Sequence, residues 1–113
     1  MLHEALRCYQ ESLQLAEELC KEAASWPRGL GYLADQVRRA MASVVLNIAE
    51  GNARKSHCER KRFFEVSRAS ATEVSACVDL MSAFGLVSAS RATAFKTSLS
   101  NISRMIWGLI RKL

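Results

Sequence analysis

Proline occurs once in 113 residues, at Pro27, and glycine only five times. So few chain breakers exclude a fold of many short strands and turns, and leave room for a few long helices. Histidine is confined to His3 and His57. No HExxH motif and no zinc-ligand spacing can be built from them. His57 adjoins Cys58, but neighbours on a helix point about 100° apart and form no catalytic dyad. Gly51 stands alone between Glu50 and Asn52, so there is no glycine cradle for a phosphate. No apolar run approaches the roughly 20 residues of a membrane-spanning helix. Met1-Leu2-His3-Glu4 lacks the basic and apolar regions of a secretory signal. A soluble, cytoplasmic protein with no membrane contact is expected. Cys8, Cys20, Cys58 and Cys77 form no C-x-x-C pair and read as reduced thiols, some of them filling core. Their even number leaves a disulfide framework as the alternative.

What is present points to one small domain. Half of the residues are apolar, too many for a disordered tail, and the length suits a single core. The net charge is +5, which favours an anionic partner without naming one. It is unevenly spread. Residues 1–27 hold Glu4, Glu11, Glu17, Glu18 and Glu22 against Arg7 and Lys21. Residues 87–113 hold Arg91, Lys96, Arg104, Arg111 and Lys112 with no acid at all. An acidic first element and a basic last one can attract each other, within the fold or across a subunit interface.

Apolar periodicity predicts four helices, over about 2–24, 33–50, 56–84 and 89–112. In the first, Leu2, Leu6, Tyr9, Leu13, Ala16, Cys20 and Ala23 recur at steps of four and three. Trp26-Pro27, Gly29 and Gly31 end it. In the second, Leu33, Val37, Ala40, Met41, Val44 and Ile48 form a buried face. Asp35 and Arg39 are spaced to pair, and Gly51 falls where a left-handed C′ residue is wanted. Ser56-His57-Cys58-Glu59 has capping-box spacing at the start of the third helix. Its stripe is Phe63, Val66 or Ser67, Ser70, Val74, Cys77, Met81 and Phe84, and Gly85 stops it. The fourth starts near Ser88 or Ser90 and carries Phe95, Leu99, Ile102, Ile106, Leu109 and Leu113. Short loops between four amphipathic helices imply an all-α, antiparallel up-and-down four-helix bundle. Ser67, Ala69, Ser70, Ala71, Ser75, Ala76, Ser82 and Ala83 make several faces of the third helix small. That suggests contacts beyond the monomer, hence a homo-oligomer.

Three groups of residues are candidates for function. Asn47, Glu50 and Gly51, with Ser56 and Glu59, surround the turn between helices two and three. Glu50 sits where the helix dipole disfavours an anion, and Arg54 is its nearest cation. The group reads as a structural corner lock or as a ligand contact. Arg54, Lys55, Arg60, Lys61 and Arg62 then crowd the N-terminus of helix three, where positive charge meets the positive end of the dipole. An anion docking nearby accounts for them, and so does a solvated, screened face. In helix four, Lys96, Arg104 and Arg111 fall within an arc of about 80° that includes Trp107. Trp107 is suited to a protein interface, to base stacking or to ordinary packing.

Gln36-Val37-Arg38-Arg39-Ala40, Ser43-Val44, Asn47-Ile48-Ala49-Glu50-Gly51, Arg54, Ser56, Glu59 and Phe63 resemble the four-helix bundle proteins of the 23S rRNA intervening sequence family. Trp26-Pro27 is similar to that family's aromatic-Pro before helix two, and Phe84-Gly85-Leu86 to its turn before helix four. The resemblance covers nearly the whole chain. It implies a bacterial up-and-down bundle and a ring-shaped homo-oligomer, with a pentamer favoured. Members are encoded in insertions within 23S rRNA genes and elsewhere in bacterial genomes. The related accessory proteins of diversity-generating retroelements bind nucleic acid and a reverse transcriptase, which bears on this chain as analogy. Where the family often has Ile-Pro after the serine, Ser43-Val44-Val45 has no proline. That departure bears on a kink in helix two and not on the fold.

The expected function is a non-enzymatic, oligomeric, RNA- or DNA-binding accessory protein without cofactor or metal. The alternative is a protein-interaction scaffold whose basic faces serve subunit or partner-protein assembly.

Overall fold

The computed structural model describes residues 2–113, with side chains from His3 onward. Met1, and the Leu2 side chain that opens the expected stripe of the first helix, lie outside the described residues. Four helices follow one another: α1 (Leu2–Ala24), α2 (Gly31–Ala53), α3 (His57–Ala83) and α4 (Ala89–Arg111). No strand occurs among the described residues. Each helix packs on its sequence neighbours, and α1 closes the circuit against α4. The molecule extends 44 × 23 × 18 Å, one helix long and two helices wide. The N-terminal half of α1, the C-terminal half of α2, the N-terminal half of α3 and the C-terminal half of α4 therefore share one end, the corner end.

The helix ends follow their local chemistry. Ser56 Oγ accepts from the Glu59 amide at 3.0 Å, and Ser88 Oγ from the Arg91 amide at 3.1 Å. Each hydroxyl satisfies one of the amides that a helix leaves without a partner at its start. Only the hydroxyl half of the Ser56–Glu59 box forms among the described residues. At the end of α3, Gly85 takes φ 70°, the Leu86 amide donates to Met81 O and the Gly85 amide to Ser82 O. That paired geometry requires a left-handed residue.

Gly51 plays a different part from the one its sequence position suggests. It is not a left-handed C′ residue: α2 runs on to Ala53, and Arg54 is the extended C-cap. Gly51 is buried inside the helix, and a Cβ there would lie 2.6 Å from Phe64 Cε1. The missing side chain is the seat for the Phe64 ring. The helix passes through the glycine because α3 needs that close approach.

The stripe of α1 is corrected by one register step as far as Ala23, and that of α3 only at Phe63 and Phe84, since Ser67, Val74, Cys77 and Met81 are buried as expected. In α1 the buried residues are Ala5, Cys8, Ser12, Leu15, Leu19 and Ala23. The expected Leu6 and Leu13 are exposed, 51% and 47%, and Cys20 is exposed as well. In α3 the core aromatic is Phe64, not Phe63, and Val66, Leu80 and Phe84 are exposed. Adjacent residues lie about 100° apart on a helix, so a single step moves a side chain from core to rim. In α2 and α4 the expected faces are buried through Leu33, Val37, Met41, Val44 and Ile48, and through Phe95, Leu99, Ile102, Ile106 and Leu109. Ser67 and Ala71, two of the small residues of α3, are consumed inside the monomer. The Ser67 hydroxyl is buried and donates to Val44 O at 2.7 Å. Asp35 pairs with Arg38 at 3.7 Å instead of with Arg39.

Candidate nucleic-acid interface

The corner between α2 and α3 is built from two separate devices. Arg54 Nη2 reaches Glu50 Oε2 at 2.7 Å. The cation at the C-cap thus offsets the carboxylate that the helix dipole disfavours. Asn47 does not join that pair. Its Nδ2 donates to Ser43 O at 2.8 Å and to Ser43 Oγ at 3.1 Å. The Ser43 hydroxyl meets the Ser70 hydroxyl at 2.6 Å. Gln36 Nε2 donates to Glu73 farther along the same seam. Asn47 therefore belongs to a polar ladder tying α2 to α3, whereas Glu50 and Arg54 close the end of α2.

The basic cluster is organised around Phe63. The Arg54 and Arg62 guanidinium carbons lie 5.0 and 5.1 Å from its ring centroid. Two cations gathered on one ring are each stabilised by about 0.5–1 kcal/mol at an exposed site. Lys61 approaches Glu65 at 4.0 Å, at the limit of an ion pair. Arg60 turns its Nε inward, where that donor is buried without a partner. Lys55 and Arg62 have no carboxylate within ion-pair distance among the described residues. Phe63 escapes sequence reasoning as a site residue because periodicity assigns one of the adjacent Phe63 and Phe64 to the core and cannot choose between them.

Helix α4 divides its cations. Arg91 Nε meets Glu22 of α1 at 3.1 Å, Lys112 Nζ meets Glu4 of α1 at 2.6 Å, and Lys96 Nζ meets Asp79 of α3 at 2.5 Å. The acidic first helix and the basic last helix thus attract each other inside the fold. The bond from Lys112, foremost, holds the Glu4 carboxyl below its ordinary value. Arg104 bonds only the neutral Asn101, and Arg111 has no carboxylate partner among the described residues. Trp107 is 45% exposed. The Arg68 guanidinium lies 5.0 Å from its ring centroid, and Arg68 Nε donates to Ser103 Oγ. Arg68 is a functional candidate that the sequence hides: it sits alone on α3, far from Trp107 in the chain.

Folding gathers these charges. At the corner half, Arg7, Arg54, Lys55, Arg60, Lys61, Arg62, Arg68, Arg104, Arg111 and Lys112 face only Glu4, Glu11, Glu50, Glu59 and Glu65. In the far half, Lys21, Arg28, Arg38, Arg39, Arg91 and Lys96 are balanced by Glu17, Glu18, Glu22, Asp35, Glu73 and Asp79. The whole net charge of +5 therefore resides in one half of the bundle. An excess of one sign in one half of a small molecule makes that half the positive pole of its surface field.

The thiols are all free. Cys8 and Cys77 are buried, Cys20 and Cys58 exposed. Burial pushes the Cys8 thiol up to about 12, and it raises Cys77 as well. Among the described residues no three of His, Cys, Asp and Glu come together as a metal-ligand set. Among the described residues no helix is long and apolar enough to cross a membrane.

The family model of the 23S rRNA-intervening sequence protein matches residues 4–108. Among solved structures, the chain is similar to a protein of unknown function from the S23 ribosomal protein family of Bacteroides thetaiotaomicron, with a TM-score of 0.88. The two are 14% identical, over 96% of this chain and 98% of that one. No curated protein matches the chain.

Proposed function

Given that the chain belongs to the 23S rRNA-intervening sequence protein family, we propose that it is a non-enzymatic, oligomeric nucleic-acid-binding accessory protein, RNA-associated in the cell. The observation that carries this reading is the collection of the entire net charge at the corner half. Arg54 and Arg62 stack on Phe63, and Lys55 has no carboxylate partner among the described residues. A polyanion docking on this end releases its condensed counterions and relieves the repulsion among these cations.

Anisotropy titration with a structured RNA and a single-stranded DNA, at low and near-physiological salt, tests the reading. Binding is expected to weaken steeply with salt. Joint replacement Arg60→Glu, Lys61→Glu and Arg62→Glu is expected to abolish it at near-physiological salt. Wild-type-like binding by that variant would remove the corner from the site.

A second reading, a protein-interaction scaffold, is favoured by a different surface. Leu6 and Leu13 of α1 and Leu46 of α2, the last 63% exposed, lie on the outer side of these helices. Ala5, Leu6, Tyr9, Ile48, Ala49 and Asn52 line a largely apolar groove beside them. Large apolar side chains left exposed beside an apolar groove are candidates for an interaction face. In the proposed protein this face serves association of like subunits into a ring, a pentamer by family resemblance.

A further inference from the structure

The groove between α3 and α4 has a chemistry that neither the corner nor the apolar face explains. Its walls carry the hydroxyls of Thr72, Ser75, Ser100 and Ser103, together with Arg68, Lys96 and Arg104. Lys96 is already neutralised by Asp79. Arg68 and Arg104 are not: among the described residues their guanidiniums hydrogen-bond only Ser103 and Asn101. The groove continues toward the corner end past Ala69, Trp107, Ile110 and Glu65, whose carboxylate lies 4.0 Å from the Lys61 ammonium. Small side chains make it a trough, its hydroxyls donate as well as accept, and an indole stands at one end with a guanidinium on its ring.

We propose that this trough is a single-strand nucleic-acid subsite. Phosphates lie along Arg68, Arg104 and the hydroxyls, and one unpaired base stacks on the exposed part of Trp107. The inference rests on the nucleic-acid reading above and specifies where, and in what form, the strand is held. The form follows from dimensions and from π-chemistry. Neighbouring helix axes are about 8–10 Å apart, so the trough between them is one strand wide. A duplex keeps its bases stacked inside and presents no face to an indole. A single strand presents a base and a phosphate together, and stacking tolerates any sequence. Arg68 contributes twice, by its charge and by holding the indole at the trough wall.

The test has a direct optical readout. The protein has two tryptophans, so Trp26→Phe leaves Trp107 as the sole indole reporter. Titration with oligo(dT) and oligo(U) at low salt is expected to quench it, as base stacking on an indole does. By anisotropy, Trp107→Ala is expected to weaken binding of both oligonucleotides by about 5- to 150-fold, the range for loss of one stacked base. Trp107→Phe retains most of the affinity, and Arg104→Ala weakens binding and flattens its salt dependence.

Wild-type affinity in Trp107→Ala, with an unquenched indole in the reporter, overturns the subsite. If the corner triple variant then still abolishes binding, the nucleic-acid reading stands and only the trough falls. If the unaltered protein binds neither oligomer nor a structured RNA at low salt, both fall. A changed light-scattering mass for Trp107→Ala also overturns the subsite, because it makes Trp107 a subunit contact.

Discussion

At the scale of single residues, two glycines in helix interiors are expected to behave in opposite ways. Gly51→Ala gains helix propensity but drives a Cβ into Phe64, which is fully buried and cannot retreat. Overpacking of that kind costs about 1–3 kcal/mol, more than the roughly 1 kcal/mol that replacing glycine recovers. Gly108→Ala in α4 meets nothing within 4 Å and is expected to stabilise by up to about 1 kcal/mol. Urea denaturation of the two variants decides the comparison, and equal effects would refute the close-approach role of Gly51. Cys8 sets a second residue-scale expectation. Its thiol is raised from 9.0 to about 12, so between those values the unfolded chain sheds a proton that the folded chain keeps. Its contribution is fully present below pH 9 and declines above it, by about 1.4 kcal/mol per pH unit for one proton. Cys8→Ala is expected to flatten the fall in urea midpoint between about pH 8 and about pH 10.

At the scale of helices, boundaries are set by short signals and faces by packing. Ser56 stops the extended Arg54-Lys55 segment and starts α3 through one hydroxyl. Ser56→Ala is expected to cost about 1 kcal/mol, and Ser56→Asp to restore most of it; thermal unfolding measures both. A null effect would mean that contacts between α2 and α3 alone hold the corner. The cap was legible because it needs only four consecutive residues. The face of α1 was not. Two stripes compete there, one of large side chains through Leu6 and Leu13, and one through Ala5, Cys8 and Ser12. The second continues through Leu15 and Leu19 and becomes core. The same ambiguity separates Phe63 from Phe64: the space above Gly51 takes Phe64, and Phe63 is left to carry Arg54 and Arg62.

At the scale of the whole molecule, the outer surfaces differ in chemistry. Along α1 and α2, Leu6, Leu13 and Leu46 are exposed; one end is cationic; and one trough, between α3 and α4, combines hydroxyls, guanidiniums and an indole. Leu13→Glu with Leu46→Glu changes two exposed positions and should leave the bundle folded. Light scattering is expected to fall from an oligomer to the mass of one 12.6 kDa chain. An unaltered oligomer would move the subunit contact to another face. Nucleic-acid binding by the corner, measured in the same variant, separates the apolar surface from the basic one.

The sequence alone determined the number of helices, their order, the Ser56 cap, the stop at Gly85 and the family. Each of these depends on neighbours in the chain or on a period of three to four residues. It also named most of the cations, because charge is written in composition. Tertiary structure decided which of two stripes is core, why α2 runs through Gly51, and which cations remain without carboxylates. It placed Arg68 on Trp107 and brought Glu4 to Lys112, residues at opposite ends of the chain. Those outcomes depend on which helix lies beside which and how closely, and antiparallel packing fixes that only after all four helices have met.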